Sequence, residues 1–166
     1  MDASRQGELA PMKNVTKVER KSDREVVVTR TFDAPARLVF EAWSKPELFK
    51  RWWVPKSMAM TLRSCEMDVR TGGEYRLGFG DGMDFFGRYL EVTPPSRIVW
   101  TNEEGRENGS VTTVTLTEQD GKTQLVMSEL YPSKEALDAA GTGAADATHE
   151  TFRQLDELLV EFASES

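Results

Sequence analysis

The chain has 166 residues, of which 30% are charged and 39% hydrophobic, and its formal net charge is −7. This length and composition are typical of one globular domain with its own core, and they exclude a disordered chain. The negative charge, without a cluster of Lys and Arg among aromatic residues, argues against nucleic-acid binding. The single cysteine, Cys65, excludes an intramolecular disulfide, and no apolar run is long enough to insert into a membrane. We therefore expect a cytoplasmic protein, with a flexible tail at residues 1–14 and one domain at residues 15–163.

The predicted domain begins with a strand and two short helices. The run VVVTRTF, residues 26–32, is rich in β-branched residues and predicts the strand. In DAPARLVFEAW, Pro35 suits a first helical turn and the apolar residues recur at helical spacing. The next residues, SKPE, fit a capping box with Ser44 as the N-cap and Glu47 three residues later. They predict a second helix that ends near Pro55.

The middle of the chain predicts an antiparallel meander. Six strand-like runs, from residues 58–69 to residues 122–131, are separated by turns rich in Gly, Pro, Asn and Asp. Alternation places Tyr75, Leu77 and Phe79 on one face, which we expect to point inward. Gly87 lies inside a strand pattern and predicts a bulge or a bend.

The end of the chain predicts one long amphipathic helix, from near Gly143 to near Ala163. On its predicted apolar side, residues recur every three or four positions: Ala145, Thr148, Phe152, Leu155, Leu159 and Phe162. A sheet of six or seven antiparallel strands curls, and only this helix is large enough to cover its concave face. The sequence thus predicts an α+β fold: a curled sheet of six to seven strands around a long C-terminal helix, with two short helices after the first strand.

Several motifs, taken in order, resemble those of a known family. They are FDAPARLVFEAW with KPELFKRWW, then MDVRTGGEYRL, FGRYLEVTPPSRIVWT, VTTVTLTE and KTQLVMSEL. From about Val26 to Leu159 the chain resembles the activator of heat shock protein 90 ATPase, within the START-like SRPBCC superfamily. The resemblance implies the helix-grip fold of the birch pollen allergen and a cavity for a hydrophobic ligand. Relatives often carry Gly-Trp or Gly-Met where Ala147 and Thr148 stand here, and the smaller side chain predicts a larger cavity.

Three functions are consistent with this resemblance. The first is a binding protein for a small hydrophobic or amphipathic molecule held between the sheet and the C-terminal helix. The second is an enzyme similar to the cyclases and aromatases of the superfamily, for which the candidate acids and bases are His149, Tyr75, Arg63 and Glu129. The third is a module that contacts a chaperone, as the family name implies.

The candidate ligand-binding residues are mostly large apolar side chains expected on the concave face. Adjacent Trp52 and Trp53 are expected to form a lid at the open end of the sheet. Arg63 and Glu129 share strand parity with apolar neighbours, so each would bring a charge inward that needs a partner or a ligand. The full predicted set is Trp52, Trp53, Arg63, Met67, Tyr75, Leu77, Phe79, Phe86, Trp100, Met127, Glu129, Thr148, His149 and Phe152.

No catalytic residue, cofactor or metal ligand is assigned from the sequence. His149 is the only histidine, which argues against a multi-histidine metal site and against a Ser-His-Asp triad with a second base available. A monomer is expected.

Overall fold

The structure is a computed structural model and describes residues 16–54, 56–58, 62–79, 84–103, 110–140 and 143–165. Within these residues the chain forms one eight-stranded antiparallel sheet and four α-helices. This α+β arrangement, with its long C-terminal helix, confirms the predicted helix-grip fold. The predicted flexible tail, residues 1–14, lies outside the described residues.

The strands follow one another along the chain with two helices between the second and the third and two after the last. The strands are β1 (Lys17–Arg20), β2 (Glu25–Phe32), β3 (Ser64–Met67), β4 (Glu74–Gly78), β5 (Asp84–Thr93), β6 (Arg97–Thr101), β7 (Val111–Gln119) and β8 (Lys122–Leu130). The helices are α1 (Ala36–Ser44), α2 (Pro46–Trp52), α3 (Lys134–Ala140) and α4 (Gly143–Glu165), with a 3₁₀ turn at Lys56–Met58. The strand order in the sheet is β1-β2-β8-β7-β6-β5-β4-β3.

Strand β1 is the strand that the predicted count of six to seven omits. Its four residues, KVER, pair antiparallel with β2 and form one edge of the sheet. A short, charged edge strand has no apolar alternation, because an edge is kept polar to discourage pairing with other chains. The periodicity that revealed the other strands is therefore missing here.

Helix α4 covers the concave face of the sheet with its apolar side. Phe152, Leu155 and Leu159 are almost completely buried. The ring of Phe152 meets that of Phe32 on β2 edge to face, with the ring centroids 5.8 Å apart. The core therefore lies between the sheet and α4, as the helical periodicity predicted.

The start of α2 differs from the predicted capping box. Helix α1 continues through Ser44, whose hydroxyl donates a hydrogen bond to the carbonyl oxygen of Phe40 at 2.8 Å. Lys45 is the N-cap of α2, no side chain caps the helix, and Pro46 is its first residue. The capping-box prediction is wrong because Ser44 bonds back along its own helix, while Pro46, with its fixed φ, begins the next one.

The sheet is irregular near Gly87 in β5. A Cβ atom at this position would overlap the carbonyl oxygen of Thr101, so the two backbones approach more closely than any side chain allows. The register between β5 and β6 shifts between Tyr89 and Glu91, two residues further on. The irregularity that Gly87 predicted is thus present, with the bulge itself displaced along the strand.

Candidate functional site

A cavity with two lobes lies between the concave face of the sheet and helices α1, α2 and α4. We call the lobe next to Trp43 and Phe49, of about 180 Å³, the inner lobe, and the lobe next to Thr148, Thr151 and Phe152 of α4, of about 300 Å³, the outer lobe. Both lobes are lined by Trp53, Phe85, Trp100 and Asn102. Because they share these side chains, we treat them as adjoining parts of one site.

The inner lobe is almost entirely aromatic and aliphatic. The Trp43 side chain lines it and is 2% exposed, yet its indole N–H has no hydrogen-bond partner among the described residues. Burial, with smaller contributions from nearby Cys65 and Asp68, raises the pKa of Tyr89, so this side chain is a neutral phenol at ordinary pH. The residues that line the inner lobe are Trp43, Phe49, Trp53, Met67, Tyr75, Leu77, Phe85, Tyr89, Ile98, Trp100 and Asn102.

The outer lobe adds hydroxyl groups and one carboxyl group to the aromatic lining. Among the described residues, Glu129 is the only ionisable side chain in this lining. Burial raises the pKa of Glu129, and a hydrogen bond from the Tyr131 hydroxyl opposes that shift. The residues that line the outer lobe are Trp53, Phe85, Trp100, Asn102, Thr112, Met127, Glu129, Thr148, Thr151 and Phe152.

Asn102 fixes the polar junction between the lobes. The Tyr75 hydroxyl lies 2.7 Å from the carbonyl oxygen of Thr101 and 3.2 Å from Oδ1 of Asn102. The Asn102 amide in turn donates to the hydroxyls of Thr112 and Ser110, each at 3.0 Å. The amide is therefore held in one orientation, and the junction is rigid rather than adaptable.

The two adjacent tryptophans lie in different places. Trp52 is 0% exposed, lines neither lobe, and donates its indole N–H to the carbonyl oxygen of Ala42 at 2.9 Å. Trp53 is partly buried, stacks on Phe49 with the ring centroids 4.8 Å apart, and lines both lobes. The prediction that both form a lid is corrected for Trp52. Neighbouring residues at a helix end point in different directions, so only one of them can face the cavity.

Phe86, a predicted cavity residue, lies outside both linings, and its neighbour Phe85 lines the cavity instead. Phe86 pairs with Arg76 in the register of β4 and β5, on the face away from the cavity, and the Arg76 guanidinium lies 4.9 Å from its ring centroid. Phe85 pairs with Leu77 and faces the cavity. Because side chains alternate along a strand, one residue of error in the register moves the predicted ring to the wrong face.

Three more predicted residues lie outside the lining. Arg63 is exposed because it precedes β3, so the strand alternation used to point it inward does not extend to it. His149 is exposed on α4, one position beyond Thr148. Phe79 packs edge to face on Phe85, with the ring centroids 5.6 Å apart, but is not part of either lining.

The other predicted residues do line the cavity, although only a bound ligand would test their role. They are Trp53, Met67, Tyr75, Leu77, Trp100, Met127, Glu129, Thr148 and Phe152. The residues missed by the prediction are Trp43, Phe49, Phe85, Tyr89, Ile98, Asn102, Thr112 and Thr151. For Ile98 the signal was present, since it shares strand parity with the predicted cavity residue Trp100. Tyr89 shares strand parity with Phe85, so the prediction of Phe86 on the inner face also excluded Tyr89.

Two kinds of structure, a metal-binding cluster and a membrane-spanning helix, are absent from the described part of the chain. No cluster of three or more His, Cys, Asp or Glu side chains that could hold a metal ion occurs among the described residues. Within the same part of the chain, no helix combines the length and the apolarity needed to cross a membrane.

Comparisons with known proteins agree with this architecture. A protein of Rhodobacter sphaeroides superposes with a TM-score of 0.77 at 24% identity, over 88% of this chain and 98% of its own. Protein NE0264 of Nitrosomonas europaea gives 0.76 at 24% identity, over 87% and 99%. CalU16 of Micromonospora echinospora gives 0.62 at 24% identity, over 82% and 81%. At this identity the superpositions establish the fold alone.

A search of curated proteins gave no match. The match to a family model, by contrast, establishes the family. Residues 33–160, most of the chain, match the model of the family described as activator of Hsp90 ATPase homolog 1-like protein. The chain therefore belongs to the family of activator of Hsp90 ATPase homolog 1-like proteins.

Proposed function

We propose that this protein is a cytoplasmic binding protein that holds a small hydrophobic or amphipathic molecule in the two-lobed cavity. The observation that carries the proposal is the lining: aromatic and aliphatic side chains from both sheet and helices, with few polar groups at fixed positions. Sites for small molecules have this composition, because burial of apolar surface supplies affinity and a few polar groups set orientation.

The polar groups Trp43 and Asn102 differ in what they offer such a ligand. The indole N–H of Trp43, a side chain that lines the inner lobe, lacks a hydrogen-bond partner among the described residues and can donate to an acceptor atom or to the face of an aromatic ring on a ligand. The Asn102 amide is already engaged with Thr112 and Ser110, so it shapes the junction rather than binding the ligand.

The enzyme alternative has less support. His149 is exposed and lines neither lobe, and Arg63 is also exposed, so two of the four candidate acids and bases are away from the cavity. Glu129 and Tyr75 remain, on different lobes. Contact with a chaperone stays a prediction that follows from the family name alone.

Calorimetric titration with fatty acids, flavonoids, polycyclic aromatics and aryl-alkyl amines would test the binding function. We expect one class to bind with micromolar affinity, about −8 kcal/mol, and with a negative heat-capacity change from buried apolar surface. Binding should also change the tryptophan fluorescence, because Trp53 and Trp100 line both lobes.

A pair of variants on α4 locates the binding site. Thr148→Phe places a ring in the outer lobe and should weaken binding about tenfold or more. His149→Phe places the same ring on the exposed side of the same helix and should leave the affinity unchanged. If no class binds, or if both variants bind as the parent does, this cavity is not a ligand site.

A further inference from the structure

Glu129 lies at the cavity without a cationic partner among the described residues. In the register of the sheet it faces Val26 on β2 and Thr112 on β7, neither of which titrates. From α4, the residues that share the outer lobe are Thr148, Thr151 and Phe152. Its one hydrogen-bond partner that titrates is Tyr131, whose pKa burial and Glu129 itself raise to about 12. The carboxyl group is thus desolvated, and no described positive charge compensates for this.

Four aromatic rings line the same lobe as this carboxyl group: Trp53, Phe85, Trp100 and Phe152. The face of an aromatic ring carries negative electrostatic potential and attracts cations, most strongly when the site excludes water. A carboxyl group among several rings is therefore a suitable environment for an ammonium group. The net charge of −7 also favours the approach of a cation over that of an anion.

We propose that the ligand is an amphipathic cation, with an amine or quaternary ammonium group at Glu129 and the surrounding rings and an apolar body that extends into the inner lobe. The proposal rests on the proposed function and names its ligand class. A carboxylate ligand would bring a like charge to Glu129. A neutral apolar ligand would leave the carboxyl group desolvated with no compensation.

A set of compounds with one shared apolar body tests this proposal by calorimetry. The set is naphthylethylamine, its N,N,N-trimethyl derivative, the matching alcohol and the matching carboxylic acid. We expect both cations to bind about tenfold or more tightly than the alcohol, and the carboxylate to bind most weakly. The trimethyl compound has no N–H group to donate, so its binding would show that charge and the aromatic rings attract the cation without a hydrogen bond.

Glu129→Gln tests the carboxyl group directly. The variant should weaken binding of both cations about tenfold and should change binding of the alcohol by less than about twofold. Glu157→Gln removes one negative charge from the exposed side of α4 and is the control matched for net charge. Should Glu129→Gln fail to fold, Phe85→Leu, at a cavity ring that is 36% exposed, replaces it and should weaken cation binding more than alcohol binding.

The dependence of binding on pH gives a second readout. A bound cation favours the ionised carboxylate, so affinity for the trimethyl compound should rise as pH rises through the raised pKa of Glu129. Tyr131 does not titrate in this range, and Glu129→Gln should remove the dependence.

The outcomes separate this proposal from the proposed function. If the alcohol or the carboxylate binds as tightly as the cations, or if Glu129→Gln binds all four compounds as the parent does, the cation proposal is overturned while the cavity remains a binding site. If none of the four compounds and no other class binds, both proposals fail.

Discussion

Arg30 on β2 and Asp156 on α4 form an ion pair across the interface between sheet and helix, with Nη2 3.4 Å from Oδ2. The Arg30 side chain is 6% exposed and the Asp156 side chain 28%. Burial lowers the pKa of Arg30 and raises the pKa of Asp156, in each case by more than the attraction of the partner offsets. The pair therefore links β2 to α4 while adding little net stability.

This balance predicts different results for single and double substitutions. Asp156→Ala leaves the Arg30 charge buried and should lower the free energy of unfolding by about 3 kcal/mol, the low end for a broken buried pair, because Asp156 is partly exposed. The double variant Arg30→Met, Asp156→Leu should have nearly the stability of the parent. Urea unfolding measures both, with exposed Glu157→Ala as the control. Equal stability of Asp156→Ala and Glu157→Ala would contradict this account.

Substitutions of Trp52 and Trp53 should have different effects, the first mainly on the stability of the fold and the second mainly on ligand binding. Trp52→Ala removes a completely buried ring that donates to Ala42, and should cost about 3–5 kcal/mol. Trp53→Ala removes a partly buried ring at the cavity, and should cost less while weakening ligand binding more than tenfold, about 1.4 kcal/mol. Thermal unfolding and calorimetric titration of the two variants compare the effects. Equal losses of stability would show that Trp53 belongs to the core as fully as Trp52 does.

Most of the fold could be predicted from the sequence because periodicity reports which side of an element is buried. The apolar spacing of α4 gave Phe152, Leu155 and Leu159 as its buried side, and all three are buried. The same principle could not find β1, because its one apolar residue, Val18, packs against the core between charged neighbours and shows no period. Helix boundaries depend on local hydrogen bonds such as that from the Ser44 hydroxyl to the carbonyl oxygen of Phe40. A serine hydroxyl can either cap the next helix or bond back along its own helix, and the local sequence is compatible with both.

The candidate site could be predicted less well because it depends on register and on contacts between distant segments. The adjacent residues Phe85 and Phe86 are both suited to a buried position, so the sequence alone could not decide which of them faces inward. Asn102 enters the site through its bonds with Tyr75 and Thr112, which belong to different strands. No local pattern in the sequence encodes such a network.

Gly87 should tolerate no side chain. In Gly87→Ala the added methyl group would overlap the carbonyl oxygen of Thr101, so β5 and β6 must separate and we expect a loss of about 2–3 kcal/mol. Gly121→Ala is the matched comparison. The φ of +79° at Gly121 is unfavourable for alanine, but a Cβ atom added there would have no neighbouring atom within 4 Å outside the adjoining residues. That variant should cost about 1 kcal/mol. The prediction fails if the two variants unfold at the same urea concentration.

Glu129 should make the stability of the unliganded protein depend on pH. Its pKa in the folded protein is raised above the ordinary value of 4.5, so between these two values the folded state holds a proton that the unfolded chain has released. The contribution of Glu129 to stability is therefore complete below about pH 4.5 and is lost as pH rises through the folded-state pKa. Glutamine does not titrate, so Glu129→Gln should gain stability relative to the parent over this range.

The measurement is the difference in the free energy of unfolding between Glu129→Gln and the parent, followed by urea unfolding from about pH 4 to about pH 8. The raised pKa of Asp156 gives a dependence of the same sign, but it is present in both proteins and cancels in the difference. Tyr131, with a pKa of about 12, contributes nothing in this range. We expect the difference to increase with pH and then to level off once the folded-state carboxyl group is ionised. A difference that stays constant or decreases with pH would mean that water or a nearby positive charge already stabilises the ionised form of Glu129. Desolvation of Glu129 would then be no reason for the site to bind a cation.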